Sequence, residues 1–137
     1  MIVTILFLFS WAEASFSQVA VIAHKSVPMD TIRKSELLDF YTSDIKKWND
    51  EEPVIVFDFK PKGELKDIFY KYLGKSTSRM KSIWMKNLLS GEGNPPEALE
   101  SENKMLEKVS TTPGSIGFIS QSNVSDNVKT LKVIELQ

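Results

Sequence analysis

Three lysines surround one short stretch in the middle of the sequence and could together hold a small anion. Lys60, Lys62 and Lys66 flank Gly63, where a predicted helix begins. A helix N-terminus offers free backbone N–H groups and the positive end of the helix dipole, and lysines add charge. Glu64 opens the same helix, where an acid stabilises the dipole but competes with a bound anion. The stretch is therefore predicted to bind an anion without transforming it, or to be a solvated helix start that Glu64 caps.

A strand, a turn and a helix are predicted to position these lysines. Residues 54–57 form an apolar run rich in β-branched side chains, which is typical of a strand buried on both faces. Residues 60–63 (KPKG) interrupt that run. Helical spacing then begins, and Gly74 is predicted to end the helix. The apolar face of this helix is predicted to consist of Leu65, Ile68, Phe69 and Tyr72.

Strands and helices alternate along the rest of the chain. Further strands are predicted at residues 18–23, 115–120 and 129–136, with the first central and the last at an edge. Further helices are predicted at residues 35–41, 77–89 and 101–110, the last with Ser101 as its N-cap. This alternation predicts an α/β fold, an open sheet with helices on both faces. The predicted core contacts are Leu37, Leu38, Tyr41, Ile45, Trp48, Met80, Ile83, Trp84, Leu88, Met105, Leu106 and Val109.

Length and composition limit the possible classes of protein. The 137 residues predict one domain, with 42% hydrophobic and 26% charged residues, as in ordinary globular proteins. The net charge of -1 gives no global field that would attract nucleic acid, so no nucleic-acid partner is predicted. The sequence contains no cysteine, which excludes disulfides, a cysteine nucleophile and a thiolate metal site.

The N-terminal 14 residues have the pattern of a secretory signal. Residues 2–9 form an apolar core, and Ala12 and Ala14 fit the small-residue cleavage rule. The segment is predicted to be a cleaved signal peptide (residues 1–14), followed by a single domain (residues 15–137). An uncleaved anchor on a membrane surface is the alternative, because the segment is too short to span a bilayer.

No catalytic or metal site is predicted, and neither is a cofactor or an enzymatic activity. His24 is the only histidine, and no second metal ligand or nucleophile motif accompanies it. Asp58 and Glu64 could form a carboxylate pair, but nothing in the sequence sets the gap that glycosidases require. Trp48 and Trp84 could stack on a ligand, although such residues are more often core anchors.

Three stretches in order resemble phosphate ABC transporter substrate-binding proteins. They are residues 37–50 (LLDFYTSDIKKWND), residues 83–96 (IWMKNLLSGEGNPP) and residues 112–118 (TPGSIGF). The resemblance covers the chain from about Val19 to its C-terminus. It implies one lobe of a type 2 periplasmic binding protein, whereas full-length relatives hold the ligand between two lobes. The implied ligand-binding residues are Lys60, Lys62, Gly63, Glu64, Lys66 and Ser115.

The turn that binds phosphate in the family is altered in this sequence. The family's Gly-Ser-Gly-Thr-Arg turn aligns with residues 62–66 (KGELK). Lys66 keeps the charge of the family's arginine without its planar fork. Gly63 and Leu65 replace the two hydroxyl residues, and Glu64 places a negative charge where an anion would bind. Ser43 stands where the family usually has glycine.

The resemblance implies a secreted, periplasmic, solute-binding-like protein that binds phosphate or another small anion in connection with ABC transport. The alternative is an interaction or sensor module that keeps the fold without a high-affinity ligand, which the altered turn favours. Good small-ligand sites bury most of the ligand, and one lobe offers only an open face. A homodimer could supply the second wall, and an ABC permease or another envelope protein is a further possible partner.

Overall fold

The fold is known from a computed structural model that describes residues 18–135. The predicted signal peptide, residues 1–14, lies outside the described residues. Within them helices separate the strands along most of the chain, as the sequence pattern predicts. The elements are β1 (Val19–Ala23), α1 (Lys34–Tyr41), β2 (Ile55–Phe59), α2 (Glu64–Leu73), α3 (Thr77–Ser90), β3 (Glu97–Leu99), α4 (Glu102–Thr111), β4 (Ser115–Ser120) and β5 (Lys129–Ile134), with a short 3-10 helix at Gln121–Asn123.

The five strands form one mixed sheet in the order β3-β2-β4-β1-β5. β2 runs parallel to both β3 and β4, whereas β1 runs antiparallel to β4 and β5. The predicted central position of β1 is confirmed, since every one of its residues is buried, and β5 lies at an edge as predicted. The carboxyl ends of β2, β3 and β4 therefore lie next to one another on the side of the sheet toward which these three strands run. We call that side, as distinct from an outer strand, the carboxyl edge.

Helices cover both faces of the sheet, as the sequence predicts. Adjacent residues of β4 show this, because side chains alternate between the two faces of a strand. The ring of Phe118 stacks on Phe69 of α2, with centroids 3.8 Å apart. On the other face, Gly117 lies so close to the sulfur of Met105 in α4 that a Cβ at this position would clash with it. The backbone of β4 therefore approaches α4 closely at Gly117, and α4 packs directly on the sheet there.

Four details differ from the prediction. β3 was not predicted, because three residues are too few to show a periodicity. The strand predicted to be buried along its whole length is buried only toward its end. In β2, Phe57, Asp58 and Phe59 are buried, while Ile55 is exposed. Ile45 and Leu88 were predicted core contacts, yet 40% and 47% of their surfaces are exposed.

Candidate functional site

The N-terminus of α2 opens at the carboxyl edge of the sheet. Gly63 is its N-cap, and no side chain among residues 18–135 accepts a hydrogen bond at this cap. Glu64 lies in the first turn of α2, as predicted, where its charge acts on the helix dipole without a capping hydrogen bond. The first backbone bond of the helix runs from the Asp67 N–H to the Gly63 carbonyl (3.1 Å). The N–H groups of the first turn thus remain available to a ligand.

A shallow concavity of about 200 Å³ lies against this helix start. Side chains from the end of β2, the start of α2 and the start of α4 form its walls. Its volume is below the range of about 300–1,000 Å³ that is usual for drug-sized ligands, so it suits only a small solute. The lining residues are Phe59, Pro61, Lys62, Gly63, Glu64, Leu65, Lys66, Glu100, Ser101 and Glu102.

Lys66 turns into the protein interior and not toward a ligand. Only 7% of its surface is exposed. Its Nζ atom lies 3.3 Å from Oδ2 of Asp58 and donates a hydrogen bond to the carbonyl of Phe59 (2.8 Å). The charge that was expected to replace the family's arginine is therefore neutralised by Asp58, and Lys66 instead ties α2 to the end of β2.

The remaining charges around the concavity are more acidic than basic. Lys62 is its one exposed lysine among the described residues, while Glu64, Glu100 and Glu102 also line it. Oε1 of Glu102 accepts hydrogen bonds from the Ser120 N–H (2.6 Å) and from Nδ2 of Asn123 (3.2 Å). Backbone N–H groups, more than side chains, would therefore have to bind an anion here.

The predicted ligand-binding residues do not all lie together. Lys60, Lys62, Gly63, Glu64 and Lys66 surround the start of α2, with Lys60 exposed outside the concavity. Ser115 lies at the opposite edge of the sheet, where it pairs with Ile55 at the beginning of β2.

Ser115 has a structural partner at that opposite edge. It is fully buried, and its hydroxyl donates a hydrogen bond to the carbonyl of Val109 (3.2 Å). Because β2 and β4 run parallel, their first residues lie side by side. Ser115 at the start of β4 is therefore far from the turn that follows the end of β2.

Asp58 and Tyr70 belong to the interior of this site, and sequence reasoning missed their role. Asp58 is buried beside Lys66, so it does not form the carboxylate pair with the exposed Glu64 that the sequence left open. Neither Oδ1 of Asp58 nor the Tyr70 hydroxyl makes a hydrogen bond of good geometry with the described residues, although the two side chains lie close enough for a hydrogen bond between them to contribute to the raised pKa of Tyr70. A single aspartate between two phenylalanines of a buried strand was the available clue, because a buried charge requires a partner.

Trp48 and Trp84 are buried core anchors. Nε1 of Trp48 donates to the carbonyl of Gly114 (2.9 Å), and Nε1 of Trp84 donates to the carbonyl of Tyr41 (2.8 Å). Nδ2 of Asn87 donates to the carbonyl of Thr42 (2.7 Å). Side chains of α3 thereby satisfy carbonyl groups at the end of α1, which have no partner within that helix.

Burial of the two tyrosines behind the site predicts a loss of stability in alkali. Burial, with a smaller contribution from the negative charge of Asp58, raises the pKa of both Tyr41 and Tyr70 above that of an exposed phenol. The folded protein therefore keeps protons that the unfolded chain loses above about pH 10. The stabilisation is complete below that pH and falls by about 1.4 kcal/mol per pH unit and tyrosine as the pH rises further.

The variant Tyr70→Phe tests this expectation. Urea unfolding at pH 7 should show equal or higher stability, by about 1 kcal/mol, because the variant removes a buried hydroxyl that makes no hydrogen bond of good geometry. Between pH 10 and 11 the variant should lose less stability than the original protein. Tyr72→Phe makes the same chemical change at a partly buried ring and controls for it. A lower stability of Tyr70→Phe at pH 7 would show that the hydroxyl has a partner.

Two kinds of feature are absent from the described part of the chain. Residues 18–135 contain no group of three or more histidine, aspartate or glutamate side chains placed to hold a metal ion. No helix within the same residues combines the length and the apolar character needed to cross a membrane.

The mixed sheet with helices on both faces is that of one lobe of a periplasmic binding protein. Solved structures of phosphate-transport proteins share it. A protein from Clostridium perfringens, described as a phosphate ABC transporter substrate-binding protein and solved with bound phosphate, matches over 85% of this chain with a TM-score of 0.71 and 21% identity. An ABC-type phosphate transport receptor from Vibrio cholerae matches over 85% with a TM-score of 0.69 and 17% identity.

A third structure, PstS from Borrelia burgdorferi, matches over 85% of the chain with a TM-score of 0.62 and 15% identity. The chain spans 45%, 46% and 48% of these three structures, which is less than half of each. No protein-family model and no curated protein matches the sequence. The resemblance predicted from the three motifs is thus confirmed at the level of the fold, and the proteins that share it are substrate-binding proteins, which are not enzymes.

Proposed function

We propose that this lobe binds solute and holds a small anion, such as phosphate, at the N-terminus of α2. The observation that carries this proposal is the helix start itself, which has no side-chain cap and opens into a concavity at the carboxyl edge of the sheet. Oriented N–H groups at a helix start bind anions without any further device. One solved structure with the same fold contains bound phosphate, which supports phosphate as the first anion to test.

The charges of the site predict weak binding. Lys66 is paired with Asp58, and Glu64 lies in the first turn of α2. The concavity is open, so much of a bound anion would stay in contact with water. We expect a dissociation constant of about 1 mM for phosphate, which corresponds to about 4 kcal/mol of binding free energy.

The setting of this function is the periplasm, next to an ABC transport system. The signal-like pattern of residues 1–14 supports secretion, and the proteins that share the fold are named for phosphate transport. A permease or a second copy of the chain would cover the open side of this concavity. The mass of the protein in solution, with and without phosphate, tests the second of these.

A titration with phosphate tests the anion site directly. Phosphate should shift the backbone amide signals of residues 63–66 in a nitrogen–proton NMR spectrum. Glu64→Gln should strengthen binding about two- to fivefold, because one surface charge near a helix end is worth about 0.3–1 kcal/mol. Lys62→Gln should weaken binding by a similar factor, for the same reason.

Glu107→Gln is the control for this titration, because it removes the same charge from an exposed side of α4. It should leave the affinity for phosphate unchanged. Amide signals of residues 63–66 that do not move at tens of millimolar phosphate would contradict anion binding. That result would favour the second candidate, an interaction or sensor module, for which the neutralised Lys66 and the acidic lining are the supporting observations.

A further inference from the structure

The solvent-facing side of α3 carries an exposed apolar ridge. Met85, Leu88 and Leu89 are 55%, 47% and 80% exposed, more than any other large hydrophobic residue of the described chain. Their spacing of three and four residues places them on one side of the helix. The buried side chains of Met80, Trp84 and Asn87 attach the opposite side of α3 to the core. Packing thus holds this apolar ridge toward solvent.

Positive charge lies beside the apolar ridge. α3 contains no acidic residue, and its exposed cations are Arg79, Lys81 and Lys86. Lys81 lies one turn before Met85 on the ridge side, and Lys86 lies beside Leu89. None of these three cations forms an ion pair with another of residues 18–135.

The groove next to the apolar ridge does not offer an apolar surface on which a protein partner could pack. Between α3 and the end of α1 lies a polar groove of about 550 Å³, which Lys75, Arg79 and Lys86 line together with Asp44 and Glu92. A partner helix usually places its apolar side chains into an apolar groove, whereas the apolar residues here form a protruding ridge. A lipid layer needs no groove, because its chains accept a ridge directly.

We propose that α3 docks the protein on the surface of an anionic lipid bilayer. A surface-bound helix carries apolar residues flanked by lysine and arginine, which enter the boundary between headgroups and acyl chains while the cations contact lipid phosphates. Met85, Leu88 and Leu89 provide the apolar part, and Lys81 and Lys86 provide the nearest charges. This docking does not depend on anion binding at α2, because α3 contributes no residue to that concavity.

Single-site fluorescent labelling can test the docking, because the sequence contains no cysteine. Ser82→Cys places a polarity-sensitive dye on the exposed side of α3 beside the apolar ridge. Ser122→Cys is the control, since it follows β4 next to Gln121, whose N–H donates to the carbonyl of Gln18 (2.9 Å). The second dye therefore reports on the place where the N-terminal segment joins the lobe.

Both labelled proteins are mixed with vesicles of phosphatidylcholine, either alone or with an equal amount of phosphatidylglycerol. The emission of the dye at residue 82 should shift to shorter wavelength with the anionic vesicles only, and the shift should weaken as salt is added. Lys81→Glu with Lys86→Glu should lower vesicle affinity by at least about fivefold for each lysine removed. Leu88→Ser with Leu89→Ser should abolish the shift and leave the fold intact, because both side chains are exposed.

Three outcomes would overturn the proposal. One is a dye at residue 82 that does not respond to anionic vesicles. Another is a shift at residue 122 equal to that at residue 82, which would assign binding to the N-terminal segment. The third is an equal loss of affinity in Lys104→Glu with Lys108→Glu, the same charge change on α4, which would show that only net charge matters.

Discussion

Replacing Lys66 by methionine should destabilise the protein by about 3–5 kcal/mol, the usual cost of removing one partner from a buried ion pair. Methionine is similar in length, so the change leaves the Asp58 carboxylate uncompensated without creating a large cavity. Asp58 already has one oxygen without a hydrogen-bond partner among the described residues. The free energy of unfolding from urea titration at pH 7 measures the effect.

Two further variants separate the ion pair from other roles of Lys66. Lys62→Met makes the same change at an exposed neighbour, and its effect on stability should stay within about 0.5 kcal/mol. Lys66→Met combined with Asp58→Leu should recover most of the loss, because apolar replacements of a whole buried pair are often neutral or stabilising. A loss below 1 kcal/mol for Lys66→Met alone would mean that Lys66 reaches solvent and remains available to a ligand.

The same variants bear on function. If phosphate binds through the backbone of α2, the double variant should retain binding once it is folded, because its two side chains lie behind the helix start. If Lys66 contacts the anion instead, the double variant should bind phosphate at least about tenfold more weakly, as expected for the loss of a charged hydrogen bond of about 1.5–3 kcal/mol. Phosphate titration of the folded double variant distinguishes the two cases.

Replacing Phe118 by alanine should also destabilise the protein by about 3–5 kcal/mol, the range for large-to-small changes of buried aromatic residues. Phe118 is fully buried, stacks on Phe69 and makes an edge-to-face contact with Phe59 (5.1 Å between centroids). It therefore connects β4 to both β2 and α2. Because α2 carries the candidate anion site, the cavity should loosen that helix as well as the core.

Urea unfolding measures the loss of stability of Phe118→Ala. The near-ultraviolet circular dichroism of the aromatic residues measures the loosening of α2 and the core. Phe118→Leu keeps an apolar side chain at the position and should cost less than half as much as the alanine variant. The matched surface change Leu89→Ala should cost no more than about 0.5 kcal/mol, because that side chain is 80% exposed. Equal losses for the alanine and leucine variants would contradict the stacked packing against α2.

Much of the fold could be predicted from local patterns. The run at residues 54–57 predicted β2, and the spacing from Leu65 predicted α2, which ends at Gly74 with φ of 78°. Ser101 is the N-cap of α4, and its hydroxyl accepts a hydrogen bond from the Lys104 N–H (3.1 Å). These features depend on neighbours along the chain, and so a periodicity or a capping residue reveals them.

The candidate site could be predicted only in part. Its location at the turn before α2 followed from the strand, the glycine and the lysines. Only the tertiary structure decided that Lys66 pairs with Asp58, that Ser115 lies at the other edge of the sheet, and that Leu88 faces solvent. The physical reason is that a side chain's direction and partners depend on which strands and helices pack beside it. Those neighbours are distant in sequence, so no local spacing encodes them.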